Sequence, residues 1–129
     1  MKAARNKTID MSIEEGKQYL DRCISTSEPT GIDSILNKTI LGDCLKVIPL
    51  LPNSFIDLLI VDPPYNLDKD FHGKKFSSMK SGAYEDYLRS WFYKVCDKLA
   101  PNGTLYMCGD WKCSSSMQKV IEEKLTIIN

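Results

Sequence analysis

The chain has 129 residues, 43% of them hydrophobic and 26% charged, which is about one domain long and ordinary for a chain that packs a core. Its 17 basic and 17 acidic side chains cancel, so no overall field draws it to nucleic acid or a membrane surface, and any such contact has to come from a local patch. No run of about 18 apolar residues predicts a membrane span, and the basic N-terminus lacks the apolar stretch of a secretory signal.

Cys23, Cys44, Cys96, Cys108 and Cys113 are scattered and odd in number. Without an export signal they are expected to be reduced thiols in a cytoplasmic protein. Cys108 and Cys113 are the closest pair, no C-x-x-C occurs, and the single histidine is His72. Zinc would lack its usual four ligands, and no metal is expected.

Residues 1–37 read as an N-terminal extension. Ser12-Ile13-Glu14-Glu15 fits a capping box opening a short helix over about 13–24, followed by a polar linker over 25–34. From residue 38 to 129 the pattern sharpens. Thr39-Ile40-Leu41 predicts a short strand ending at Gly42-Asp43, and the segment from Cys44 predicts a short helix that Asp43 can cap and Pro49 interrupts. After a turn at Asn53-Ser54, Phe55 to Val61 is almost continuously apolar, as a parallel strand covered on both faces would be.

A polar loop then runs to about Gly82. Tyr84, Tyr87, Leu88, Trp91, Phe92, Val95, Cys96 and Leu99 keep helical spacing, and Glu85 and Asp86 favour the first turn. Pro101-Asn102-Gly103 stops that helix, Thr104 to Cys108 predicts the next strand, and a helix over about 115–124 leads to Leu125–Asn129, a strand just beginning. This is the βαβ rhythm of an α/β fold with mostly parallel strands and flanking helices. Ligands of such sheets bind at the carboxyl ends of the strands, where Gly42-Asp43 and Asp62-Pro63-Pro64-Tyr65 both fall.

The second motif has a distinctive chemistry. Pro63 and Pro64 fix two successive φ angles and donate nothing to a ladder. Asp62 therefore presents a carboxylate beside a rigid carbonyl, that of Pro63, and Tyr65 adds a flat ring. Two acceptors suit the two hydrogens of an exocyclic amino group, and an aromatic face suits a planar base. The plain alternative is a turn in which Asp62 caps backbone amides.

Residues 40–67, ILGDCLKVIPLLPNSFIDLLIVDPPYNL, resemble the amino-methyltransferases of DNA, which methylate adenine N6 or cytosine N4. The resemblance rests on Gly42-Asp43, the turn Leu51-Pro52 with Ser54, Asp57-Leu58 and Asp62-Pro63-Pro64-Tyr65-Asn66, and continues loosely through Asn102-Gly103-Thr104. An Asp-Pro-Pro-Tyr motif this early resembles the permuted subclass, in which the catalytic half precedes the cofactor-binding half. What the resemblance implies is a Rossmann-like sheet, S-adenosylmethionine as methyl donor and a flipped base of DNA as acceptor, in the restriction–modification manner. It implies Asp62, Pro63, Pro64 and Tyr65 as the catalytic set. Asp43, Cys44 and Asp62 would touch the cofactor, although Asp43 is as readily a helix cap. Tyr65, Asn66, Lys74 and Lys75 would contact the nucleotide. Asp before Pro-Pro leans to adenine N6.

The loop 66–83 carries Lys69, Lys74, Lys75 and Lys80 against Asp68 and Asp70, suiting phosphates beside a base pocket or simply a solvated surface. The aromatic stripe of the long helix reads as packing. Trp111 lines the pocket or covers the sheet edge. His72 is not needed as a base, since the amine can lose its proton after attack.

The resemblance also has a gap. The permuted subclass carries a Phe-x-Gly-x-Gly loop for the methionine end of the cofactor, and Gly16, Gly31, Gly42, Gly73, Gly82, Gly103 and Gly109 form none. Residues 38–129 are thus expected to be a truncated catalytic half, its sheet incomplete at the C-terminus, with a second chain supplying the other half. The competing readings are an inactive remnant that binds nucleic acid or a partner, and a methyltransferase acting on a protein glutamine or RNA, against which Asp62 argues.

Overall fold

The computed structural model describes residues 11–71 and 73–128, with main chain alone at Phe71 and Lys74. The N-terminal decapeptide, His72 and Asn129 lie outside the described residues. The chain divides into two compact units, Met1–Leu50 and Leu51–Asn129, each taken by itself.

The first unit opens with α1, Ile13–Leu20. Its capping box forms as expected: Glu15 N donates to Ser12 Oγ at 3.1 Å and Ser12 N to Glu15 Oε2 at 2.9 Å, satisfying two otherwise orphaned amides. The helix ends four residues before its expected limit of Ile24, which instead bridges Ile40 in parallel. The strand expected at 39–41 is reduced to that single bridge, because Asn37 turns left-handed (φ 57°) before it and a helix cap begins just after. Two one-turn helices follow, α2, Ile32–Ile35, and α3, Cys44–Val47, the latter running into a 3₁₀ turn at Ile48–Leu50. Pro49 cannot donate, so the last turn tightens around it.

The second unit is α/β. Strand β1, Ile56–Val61, lies parallel to β4, Leu99–Met107, and between them come the antiparallel hairpin of β2, Lys69–Phe71, and β3, Lys74–Phe76, and the long helix α4, Ser81–Cys96. Helix α5, Ser114–Glu122, closes the unit. The hairpin was expected to be loop, and 125–128 form no strand.

Ile56 pairs with Leu99 whereas Leu58 pairs with Thr104, so Pro101-Asn102-Gly103 bulges out of β4 and does not precede it as expected. Only glycine fits the bulge: a Cβ on Gly103 would lie 2.6 Å from the Ile56 carbonyl oxygen.

The core follows the helical spacing. Tyr84, Leu88, Trp91, Phe92 and Val95 of α4 are buried, together with Leu99, Cys113, Met117 and Val120. β1 departs from expectation. Leu58 (56% exposed) and Ile60 (68%) share a bare face with Tyr106 (59%), because no other described element of the second unit covers that side. An apolar run reports that a strand can be covered, not that it is.

Helices α4 and α5 are also joined by charge. Arg89 Nε and its Nη2 donate to Glu123, the latter at 2.7 Å, and Nη1 donates to Asp86 at 2.9 Å. Tyr93 also donates to Glu123, and Lys119 Nζ donates to Glu85 at 2.7 Å. The Arg89 guanidinium, with the Tyr93 hydroxyl behind it, holds the Glu123 carboxyl down at about 2. A lowered folded-state value contributes stability above the unfolded value of about 4.3, lost as pH falls toward 2. Glu123→Gln is therefore expected to melt below the native chain at pH 7 and to converge with it near pH 2. An unchanged gap across that range would mean that Glu123 acts through packing alone.

Candidate active site

β1 hands the chain to the motif at its carboxyl end. The Val61 carbonyl accepts from Cys108 N at 2.8 Å, so the parallel ladder continues to the residue before Asp62. Pro63 and Pro64 bring no N–H, and the backbone must leave the sheet there. Asp62 is exposed, Pro63 buried, and Pro64 and Tyr65 half-buried.

Two hydrogen bonds shape this corner. The Tyr65 hydroxyl donates to Asp62 Oδ1, and that bond, with the nearby carboxylate charge, pushes the hydroxyl up to about 12. Tyr65 stays a protonated donor at neutral pH. The Tyr84 hydroxyl donates to the Pro64 carbonyl at 2.8 Å from a fully buried position on α4. Among the described residues, no donor reaches the Pro63 carbonyl or the second Asp62 oxygen. The corner therefore pairs a carboxylate with a stiff carbonyl, beside a ring whose hydroxyl is tied to the same acid. Such a pair can accept both hydrogens of a planar amine.

The loop after the motif is tied back at its base. Asn66 takes a left-handed turn (φ 56°), which asparagine tolerates better than most residues. Its amide donates to Met79 O at 2.9 Å and accepts from Met79 N at 2.7 Å, while Asp68 accepts from Ser78 N at 2.8 Å. The Asn66 side chain, expected at the nucleotide, is thus engaged by Met79. Phe76 of β3 meets Tyr87 edge-on at 5.4 Å, and Tyr87 stacks on Tyr84 at 6.0 Å.

Lys69, Lys75 and Lys80 are exposed. Lys69 and Lys75 share a shallow open depression with Asp68, Asp70 and Phe76 on the hairpin; it does not include Asp62. The side chain of Lys74 and all of His72 lie outside the described residues. Trp111 is 78% exposed with Lys112 Nζ 5.7 Å from its ring centre, so it covers no sheet edge. Asp43 and Cys44 are exposed in the first unit, where Asp43 accepts from Leu45 N at 3.0 Å and caps α3. Among the described residues no group of three potential ligands could hold a metal, and no helix is long and apolar enough to cross a membrane.

Spacing alone missed the Tyr84 hydroxyl. Tyr84 belongs to the packing stripe, and nothing local signals that its oxygen meets a carbonyl twenty residues earlier.

The sequence profile of the DNA methylase family, N6/N4 type, matches residues 56–128, from the first residue of β1 through α5. This chain belongs to that family. The chain is 32% identical over 88 residues to type II methyltransferase M.HpaI of Haemophilus parainfluenzae, covering 68% of this chain and 28% of that protein. It is 28% identical over 94 residues to type II methyltransferase M.BamHI of Bacillus amyloliquefaciens, covering 73% and 22%. It is 31% identical over 84 residues to DNA adenine methyltransferase YhdJ of Escherichia coli K12, covering 62% and 27%. The chain thus spans less than a third of the length of these relatives. Among solved structures it is similar to the PvuII DNA methyltransferase (cytosine-N4-specific), at 21% identity and a TM-score of 0.49, covering 66% of this chain and 33% of that one.

Proposed function

We propose that the chain carries the base-gripping half of a site-specific DNA methyltransferase of the restriction–modification type, acting in the cytoplasm on the exocyclic amine of a flipped base. The observation that carries this reading is the corner at the end of β1, an acid and a stiff carbonyl beside an aromatic ring. An aromatic amine is a poor nucleophile because its lone pair is delocalised. Hydrogen bonds from its two hydrogens to Asp62 and the Pro63 carbonyl favour a pyramidal nitrogen and free that pair for in-line attack. The base must leave the duplex for its amine to reach this corner, and Tyr65 offers its ring for stacking. Lys69, Lys74 and Lys75 are the candidate phosphate contacts, and Asn66 acts by closing their loop.

S-adenosylmethionine, when bound, supplies the electrophilic methyl group. This chain's donor set fits part of it: Asp43, with Cys44 beside it, offers an exposed carboxylate oxygen to hydroxyls. The glycine loop for the methionine end is not in this sequence, and we assign it to a cofactor-binding half outside these 129 residues. Adenine N6 is the favoured acceptor, on the Asp before Pro-Pro; one relative is named as an adenine enzyme.

The test supplies the chain with such a half, labelled S-adenosylmethionine and DNA, then digests the DNA to nucleosides. Label in N6-methyladenine is the expected result. Label in N4-methylcytosine would overturn the choice of base. No transfer, with both halves folded and associated, would favour a module that only binds.

A further inference from the structure

Tyr84 sits four residues into α4 with no exposed surface, and its hydroxyl meets the Pro64 carbonyl at 2.8 Å. Burial pushes that hydroxyl upward from the ordinary tyrosine value, so it stays a donor at neutral pH. A buried aromatic needs no hydroxyl to fill space. Here the hydroxyl selects one of the two proline carbonyls.

The consequence is geometric. The Pro64 ring locks φ, so a single torsion, ψ of Pro64, separates the ring from the carbonyl that Tyr84 holds. Holding that carbonyl against α4 therefore leaves the ring frame free only about that one torsion. The ring nitrogen belongs to the peptide plane that also contains the Pro63 carbonyl. One buried hydrogen bond thereby narrows the orientations open to the neighbouring carbonyl, which no donor among the described residues engages. Tyr87 stacks on Tyr84 from the side of Phe76 and backs the ring.

We propose that Tyr84 is a positioning residue for the base amine: by holding the Pro64 carbonyl it aims the Pro63 carbonyl, the second acceptor beside Asp62. This rests on the reading of the corner as an amine clamp. Tyr84 touches neither base nor cofactor, and acts through the proline backbone.

The experiment measures binding. The full chain is titrated with two fluorescent single-stranded oligonucleotides, one containing adenine and one N6,N6-dimethyladenine, which has no amine hydrogen. The native chain is expected to prefer adenine by about tenfold or more, as two hydrogen bonds with one charged acceptor allow. Y84F is expected to bind the dimethyl probe as the native chain does but to lose most of the preference. Carbon-13 shifts of labelled proline carbonyls should show the Pro64 signal moving in that variant. Native preference retained in full by Y84F would overturn the role of Tyr84 while leaving the clamp intact. No preference in the native chain would overturn the clamp, and Tyr84's role with it. Should Y84F fail to fold, 3-fluorotyrosine placed at position 84 keeps the shape and alters donor strength. A changed preference then supports the proposal, and an unchanged one overturns it.

Discussion

Asp62→Ala is expected to abolish the proposed methyl transfer by this chain combined with a cofactor-binding half, lowering the rate by about 10³ or more. Removal of one well-placed polar group from a reacting centre commonly costs 10²–10³, and Asp62 supplies the charged acceptor of this corner. The fold should survive, because Asp62 is exposed at the strand end and its one described side-chain bond is the one it accepts from Tyr65. Exposed substitutions of that kind usually change stability by no more than about 0.5 kcal/mol. Thermal melting therefore separates lost chemistry from lost structure. Asp62→Asn keeps an acceptor oxygen and should retain a measurable fraction of the rate. Full activity in Asp62→Ala would remove the residue from the mechanism, and equal loss in both variants would show that charge matters more than hydrogen-bond geometry.

Phe92→Ala is expected to destabilise the second unit by about 3–5 kcal/mol, the usual cost of emptying a phenylalanine site in a packed core. Phe92 has no exposed surface and meets Trp91 edge-on at 6.0 Å between ring centres. Whole domains are stable by only about 5–15 kcal/mol, so the variant should unfold at much lower urea. The same helix carries Tyr84, and the loss should extend to the proline corner. Ile60→Ala on the bare face of β1 makes the contrast: at 68% exposure it should shift the urea midpoint little. A large effect there together with a small one at Phe92 would mean that the core had been placed on the wrong side of the sheet.

Much of the architecture is legible along the chain because the signals are local. The capping box joins Ser12 to Glu15 within one turn, and the buried face of α4 follows from side chains three and four residues apart. Both survive in the structure, as does the Asp-Pro-Pro-Tyr corner directly after an apolar strand. The short hairpin was hidden because each arm is a lysine-bearing triplet that reads as polar loop, and its hold comes from Phe76 meeting Tyr87 on a helix still to come.

What local sequence determined about this protein is therefore the motif, the strand that delivers it and the helix that backs it, since caps, prolines and periodicity act within a few residues. Tertiary structure alone decided the rest. The bulge at Pro101-Asn102-Gly103 depends on the Ile56 carbonyl lying against Gly103. The bare face of β1 depends on what packs over it, and the choice between two adjacent proline carbonyls depends on a hydroxyl from a helix twenty residues on. These are contacts between segments far apart in the chain, and residue type states what a side chain can do without stating which distant atom it will meet.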